Sequence, residues 1–324
     1  MKIGFISAAH VHTSAYVRVV KADSNFEPIG LYDEDVKRGK GFSAEHDIEF
    51  FNDVDELLSN VDCVVITSEN VNHKKDVLKA AEHGIPILCE KPLSTNVEDA
   101  EVMLSTCKGE KVPLYSAFPV RFHPAIADLI QRLNRKEIGK IRMIVTTNRG
   151  QIPPGWFIDP LLSGGGSIMD HVVHVVDLLR YVLKSEFGEV LAFKGKNIHP
   201  DIEVEDNALL DLKMKGIPVT LDCSWSRPKS WPIWGDLTMR IVGEEGVIDV
   251  DLFSQNIIDY SNKTERIHMI DWGEDLDQLM LRAFYQELIG KKTILATGED
   301  GLKAIEVVEA AYESIKRNER VLLR

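Results

Sequence analysis

Apolar and polar residues alternate in two rhythms along the chain, and the rhythm changes near residue 120. Before that point, short apolar runs are separated by stretches with helical spacing. This order predicts a parallel sheet with helices on both faces. Lys2–Ser7, Phe26–Tyr32, Ile48–Phe51, Cys63–Thr67, Pro86–Glu90 and Pro113–Phe118 read as strands. His12–Lys21, Asp35–Glu45, a segment capped by Asn52 and running through Leu58, His73–His83 and Asn96–Cys107 read as the intervening helices. Beyond Phe118 a helix over 124–136 is followed by longer alternating strands at Ile141–Asn148, Glu189–Asn197, Asp206–Met214, Val219–Ser226, Thr238–Val242 and Gly246–Asp251. Short turns such as Lys215-Gly216 between sequential strands predict a large, mainly antiparallel sheet. A helix over Gly166–Lys184 interrupts this region, and helices at Asp277–Ile289 and Gly298–Arg317 close the chain. The expected architecture is an α/β Rossmann-like domain over 1–120 and an α+β domain over 121–324, with the last helix able to pack back on the first.

Composition narrows the function classes. A net charge of −13 argues against nucleic acid, which needs a basic face. No apolar stretch is long enough to span a membrane, and no signal peptide precedes the first strand. Cys63, Cys89, Cys107 and Cys223 are scattered without CxxC spacing, as in a reduced cytoplasmic protein.

A strand, a tight turn and a helix at the start of an α/β domain form the usual seat of a dinucleotide. The turn normally reads GxGxxG; here it is Ser7-Ala8-Ala9-His10-Val11-His12, with no glycine at the three positions. Ser7 and Ala9 are small enough for close backbone approach, whereas His12 should hold the helix farther from the strand. Asp33 ends the second strand at the spacing of the carboxylate that bonds a ribose 2′-hydroxyl. It would repel a 2′-phosphate, and Glu34 and Asp35 follow it rather than arginine, so NAD is expected over NADP. The alternative is that Asp33 only caps a turn. His10 and His12 invite a metal reading, but no further ligand lies at a recognisable spacing, so no metal is expected.

Asp170, His174 and Asp177 fall at i, i+4 and i+7 on an otherwise apolar helix, which places them on one face. Such a polar stripe either lines a wet cleft or satisfies itself internally. Asp-His-x-x-His could also ligate zinc or iron, but a third strong ligand is missing from the sequence pattern. Lys91 follows a buried-looking strand and precedes a proline that fixes the turn. An apolar wall and a cationic nicotinamide disfavour a charged amine, which makes Lys91 a candidate for proton transfer. Trp225, Trp231 and Trp234 lie in a Pro-interrupted stretch, and their aromatic faces could stack on a sugar ring.

Several segments together resemble the Gfo/Idh/MocA oxidoreductases, the glucose–fructose oxidoreductase and inositol dehydrogenase family. They are Ile66-Thr67-Ser68-Glu69-Asn70 with His73, Gly84 through Leu93 with its Glu90-Lys91-Pro92, Arg121-Phe122-His123-Pro124, and Gly164-Gly165-Gly166-Ser167-Ile168-Met169-Asp170 with His174. Val172 stands where the family commonly has glycine, and His171 is an added imidazole. The resemblance implies an NAD-dependent oxidoreductase acting on a secondary hydroxyl or carbonyl of a sugar, inositol or related polyol. It implies catalytic roles for Lys91, Asp170 and His174, with either Lys91 or His174 as the base. Ser7, Ala9, His10, Asp33, Thr67, Ser68, Asn70, His73, Glu90, Lys91 and Arg121 are then expected at the cofactor. Lys91, Trp156, Asp159, Asp170, His171 and His174 are expected at the substrate. For Arg121 an interdomain salt bridge is the alternative. The resemblance also implies a homodimer or homotetramer through the open face of the second sheet, with burial of Trp225, Trp231 and Trp234 in that contact as the alternative to sugar stacking. The rival functions are a hydrolase or lyase acting through transient oxidation, and a non-catalytic ligand sensor.

Overall fold

The computed structural model describes residues 1–254, 256–263, 266–271 and 273–323. The first part of the chain alternates as the apolar runs predict: β1 (Lys2–Ile6), α1 (Thr13–Ala22), β2 (Glu27–Tyr32), α2 (Val36–His46), β3 (Glu49–Phe51), α3 (Val54–Leu58), β4 (Cys63–Ile66), α4 (His73–Glu82), β5 (Ile87–Cys89), α5 (Val97–Glu110) and β6 (Leu114–Ser116). The six strands pair in the order β3-β2-β1-β4-β5-β6, every neighbouring pair parallel. A parallel sheet covered on both faces needs strands that are apolar throughout. Every residue of β4 and β5 is buried accordingly. The chain order reverses direction between β1 and β4, and the crevice beyond the carboxyl ends of such strands is where this sheet type binds ligands.

Caps fix most helix starts. Asp35, Asp53 and Asn96 each accept a backbone N–H in the first turn of α2, α3 and α5. The cap of α3 is therefore Asp53 and not Asn52, because the chain is still extended at Asp53 and turns helical at Val54.

The later chain forms α6 (Pro124–Asn134), β7 (Ile141–Thr147), α7 (Pro160–Ser163), α8 (Val173–Leu183), β8 (Phe187–Lys194), β9 (Ala208–Met214), β10 (Ile217–Asp222), β11 (Thr238–Gly243), β12 (Val247–Asp251), β13 (Asn256–Ser261), β14 (Arg266–Asp271), α9 (Leu276–Leu288), α10 (Gly298–Arg317) and β15 (Val321–Leu322). Seven strands pair as β12-β11-β7-β10-β9-β8-β15. All pairs are antiparallel except β7 with β10, so the sheet is mixed. Its period-two pattern is clear on β9: Ala208, Leu210, Leu212 and Met214 are buried, whereas Leu209 and Lys213 are exposed. The β13–β14 hairpin was not anticipated, since its strands lack a clean alternation.

The chain divides into two compact units. The first holds 1–119, 161–164 and 275–305; the second holds 120–160, 165–274 and 306–324. Among the described residues no helix is long and apolar enough to cross a membrane.

Candidate functional site

In the first unit, β1 ends in a turn that does without glycine. Ser7 adopts φ +73°, the left-handed conformation for which glycine is normally used. The turn is braced from both sides. The Ser7 N–H donates to the Tyr32 carbonyl, and the Thr67 hydroxyl donates to the Ser7 carbonyl at 2.7 Å. The Ala9 N–H donates to the Ser7 hydroxyl at 3.1 Å, and the His10 N–H to the Thr67 carbonyl at 3.0 Å. The strand order, the tight turn and small Ala8 and Ala9 fit a dinucleotide crossing at this point.

Asp33 does not present a bare carboxylate. Ala8 N–H donates to it at 2.7 Å, and Arg38 grips both its oxygens at 2.8 Å. Arg38 also pairs with Glu69 at 2.8 Å. The expectation that no arginine serves this position is corrected: α2 begins at Val36, so Arg38, in its first turn, folds back over the end of β2. The guanidinium donates hydrogen bonds to both Asp33 oxygens and to Glu69, and these carboxylates raise it above its ordinary value despite partial burial.

The loop after β4 is spent largely on its own architecture. Asn70 donates its amide to the Ser163 carbonyl at 2.8 Å. His73, expected at the cofactor, is wholly buried, with its ring nitrogens 2.9 Å from the Pro92 carbonyl and 3.1 Å from the Ser68 carbonyl. It ties this loop to the Lys91-Pro92 segment, and burial pushes its imidazole below the ordinary value. Ser68 donates to Asp76 at 2.6 Å, yet burial pushes the Asp76 carboxyl up to about 6. A folded-state value above the ordinary 3.8 means that the folded chain binds this proton more tightly, so stability falls as pH rises through about 6. Asp76→Asn is therefore expected to stabilise the protein near pH 8, by up to about 3 kcal/mol, and much less below about pH 4. Thermal melts with equal shifts at both pH values would contradict this.

Glu90 is fully buried and anchors the segment that carries Lys91. Its Oε1 accepts the Tyr16 hydroxyl at 2.5 Å and lies 2.9 Å from His12 Nδ1 and 3.6 Å from His10 Nδ1. Its Oε2 accepts the Lys91 N–H at 3.0 Å. Burial alone would raise the Glu90 carboxyl, but His10, His12 and Lys91 override it and hold it well below the ordinary range. Burial would lower His12, but the Glu90 carboxylate overrides it in turn and raises the imidazole. Lys91, joined to Pro92 by a cis peptide, is itself 5% exposed.

The second unit holds its polar groups on the segment leading into α8. Ile168–Val172 is a π turn, and only then does α8 begin. The i, i+4, i+7 phasing expected for Asp170, His174 and Asp177 is therefore interrupted, because a π turn takes more residues than an α turn; such turns are frequent at functional sites. Asp170 Oδ2 accepts from Trp225 Nε1 at 3.3 Å and lies 3.2 Å from His171 Nε2. His171 is buried, and its Nδ1 lies 3.1 Å from the Cys223 carbonyl. His174 is half-buried one turn on. Asp177 is buried and receives the Arg121 guanidinium, its Nε at 2.8 Å. Arg121, expected at the cofactor or in an interdomain bridge, is buried in a salt bridge within its own unit and packs over the Tyr181 ring. Trp156 is half-buried and stacks on Phe157, with ring centroids 3.9 Å apart, and Asp159 closes the same short helical turn.

Two of the three glycines before Asp170 gain a reason. The Glu205 carboxylate accepts N–H groups from Gly166 and Ile168 and the Tyr312 hydroxyl, at 3.1, 2.9 and 2.9 Å, and the Ser167 N–H donates to the Glu205 carbonyl. A Cβ on Gly166 would stand 1.8 Å from that carbonyl oxygen, and one on Gly165 would stand 2.0 Å from the Tyr312 hydroxyl. Burial pushes the Glu205 carboxyl up, against those hydrogen bonds. Neither Glu205 nor Tyr312 carries a sequence motif, and the glycines were the only signal pointing to them.

The chain therefore carries one unit with a dinucleotide-type parallel sheet and a Glu-Lys-Pro segment at the end of β5, and a second unit built on a mixed sheet with an Asp/His helix. Residues 1–118 match the oxidoreductase family with an NAD-binding Rossmann fold, and residues 126–249 match the GFO/IDH/MocA C-terminal domain. The chain belongs to the Gfo/Idh/MocA family. It is 26% identical over 285 residues to the myo-inositol 2-dehydrogenase of Thermotoga maritima, covering 84% of each chain. It is 29% identical over 273 residues to the scyllo-inositol 2-dehydrogenase (NAD(+)) of Bacillus subtilis, covering 81% of this chain and 78% of the relative. The crystal structure of GenD2 from gentamicin A biosynthesis, in complex with NAD, superposes with a TM-score of 0.90 over 100% of this chain and 96% of that one; at 20% identity this likeness shows the fold.

Proposed function

We propose that the chain oxidises a secondary hydroxyl of a sugar, inositol or related polyol, or reduces the corresponding carbonyl. The observation that carries this reading is the Glu90 anchorage. A buried carboxylate gripped by Tyr16 and His12 fixes the strand end that delivers Lys91, in a family whose inositol dehydrogenases are relatives of this chain. NAD, when bound, supplies the hydride acceptor. Lys91 and His174 are the candidate proton-transfer groups, with His174 as the base that takes the hydroxyl proton, and Asp170, held by the Trp225 indole, is the candidate for orienting the substrate. Incubation with NAD and a panel of inositols and hexoses, followed at 340 nm, is expected to yield NADH with at least one member. A stable NAD complex that converts none of the panel would favour a sensor, and product formation without net NADH would favour transient oxidation.

Arg38 refines the cofactor preference. By cancelling the Asp33 charge it weakens repulsion of a 2′-phosphate. NAD remains the favoured cofactor in this reading, with a narrower margin than a bare aspartate would give. Arg38→Ala is expected to widen the NAD-over-NADP affinity ratio, by about tenfold or ~1.4 kcal/mol, and Asp33→Ala to narrow it. Calorimetry showing an unchanged ratio in both would remove these residues from cofactor choice.

Subunit pairing through the second sheet also belongs to this reading, with a corrected set of residues. Trp225 is fully buried and bonded to Asp170, so it does not form a contact surface. Met143, Val145, Phe193, Leu209 and Val247 do stand exposed on the sheet, and Trp231 and Trp234 are half exposed. Light scattering is expected to give a dimer or tetramer, and Val145→Lys with Leu209→Lys to dissociate it. A monomeric parent at micromolar concentration would reject the pairing.

A further inference from the structure

The turn that does without glycine carries two imidazoles, and the fold brings a carboxylate to them. His12 and Glu90 are 78 positions apart in sequence, which hid the grouping from motif spacing. One ligand atom from each of His10, His12 and Glu90 lies within 4.8 Å of the others. We propose that these three residues form a binding site for a first-row divalent transition metal of the zinc type, which nothing in the redox reading requires.

The donor chemistry is specific. Two imidazoles and one carboxylate suit zinc, cobalt or iron better than magnesium or calcium, which prefer oxygen ligands throughout. Bonds of about 2.0–2.1 Å to a tetrahedral ion place ligand atoms roughly 3.3 Å apart. The separations of Glu90 Oε1 from His12 Nδ1 and His10 Nδ1, 2.9 and 3.6 Å, bracket that spacing, and the two imidazoles offer ligand atoms within 4.8 Å of each other, a gap that ring rotation onto an ion would close. At His10 it would replace a long hydrogen bond, in which Nδ1 accepts the His12 N–H at 3.3 Å.

The surroundings are those of a supported site. The Tyr16 hydroxyl and the Lys91 N–H hold the two Glu90 oxygens in place. The Thr13 hydroxyl donates to the His10 carbonyl at 2.7 Å, fixing the backbone from which that ring projects. Outer contacts of this kind orient metal ligands and contribute to affinity. The His10 and Glu90 side chains are buried, whereas His12 is 35% exposed and gives an ion its way in. All three ligands belong to the first unit.

Titration of the full chain, freed of metal with a chelator, with Zn²⁺ in a calorimeter is the test. One ion per chain is expected, with Mg²⁺ giving no heat. Co²⁺ in place of zinc is expected to show the visible bands of a tetrahedral N/O site. His12→Ala, a change at a partly exposed ring, should leave the circular dichroism spectrum intact and weaken zinc binding at least about tenfold. Glu90→Gln should do the same if it folds, and His199→Ala, a histidine of the second unit, should change nothing. Absence of zinc binding by the parent would overturn the proposal, as would binding undiminished in His12→Ala.

Discussion

Lys91→Ala and His174→Ala are each expected to lower turnover by about 10²–10⁴-fold, the scale on which a positioned proton-transfer group acts. The two variants should differ in what else they lose. NAD affinity should survive His174→Ala, since the imidazole is read as touching substrate alone. It should fall with Lys91→Ala if the lysine also meets the nicotinamide ribose. Asp170→Asn should weaken substrate binding as well as turnover, because the change removes the charge facing His171 while keeping an acceptor for Trp225. Steady-state kinetics, with circular dichroism to confirm folding, separates these cases. Parent-like turnover in His174→Ala would pass the role of base to Lys91. Parent-like turnover in both would end the dehydrogenase mechanism.

Gly166→Ala should be the most damaging single methyl group. The new Cβ would meet the Glu205 carbonyl oxygen at 1.8 Å, its carbon at 2.8 Å and its nitrogen at 3.0 Å. These are backbone atoms and cannot rotate away. Relief requires moving the segment before β9 that brings in the Glu205 carboxylate, with loss of the hydrogen bonds it accepts from Gly166 and Ile168. Overpacking costs about 1–3 kcal/mol and unsatisfied buried groups about 1–3 kcal/mol more. A loss of about 3 kcal/mol in unfolding free energy is expected, along with most of the activity, because the π turn bearing Asp170 starts there. Gly165→Ala should cost less, since its clash is with the Tyr312 hydroxyl at the tip of a side chain. Denaturant unfolding that ranks Gly165→Ala as the worse variant would contradict this account of the glycine run.

Much of this was legible in the sequence, and the limits have physical causes. The parallel sheet could be read because its strands are apolar on both faces, and the antiparallel sheet because its strands alternate. The β13–β14 hairpin is harder to read, because the adjacent pairs Ile257-Ile258 and Met269-Ile270 break the alternation in each strand. Local motifs identified Glu90-Lys91-Pro92 and the Asp/His helix, but they could not show what each polar group would bond. Arg38 sits five residues beyond Asp33 and reaches it only because α2 starts at Val36. Tyr16 and His12 meet Glu90 across more than seventy positions. A helical wheel puts Asp177 one turn deeper than Asp170 and His174, where a structural carboxylate is expected, but it cannot show that Arg121 is its buried partner. The Pro-interrupted stretch gives no sign that Trp225 differs from Trp231 and Trp234, yet its indole is buried and completes the setting of Asp170.

The central claim is that the Ser7–His12 turn carries a nicotinamide dinucleotide without its glycines. Calorimetric titration of the parent chain and of Ala9→Val with NADH tests it most directly. The parent is expected to bind one NADH per chain, and the valine variant, whose side chain would stand where the diphosphate crosses, to bind it at least about tenfold more weakly. Absence of binding by the parent, or equal affinity in the variant, would contradict the account.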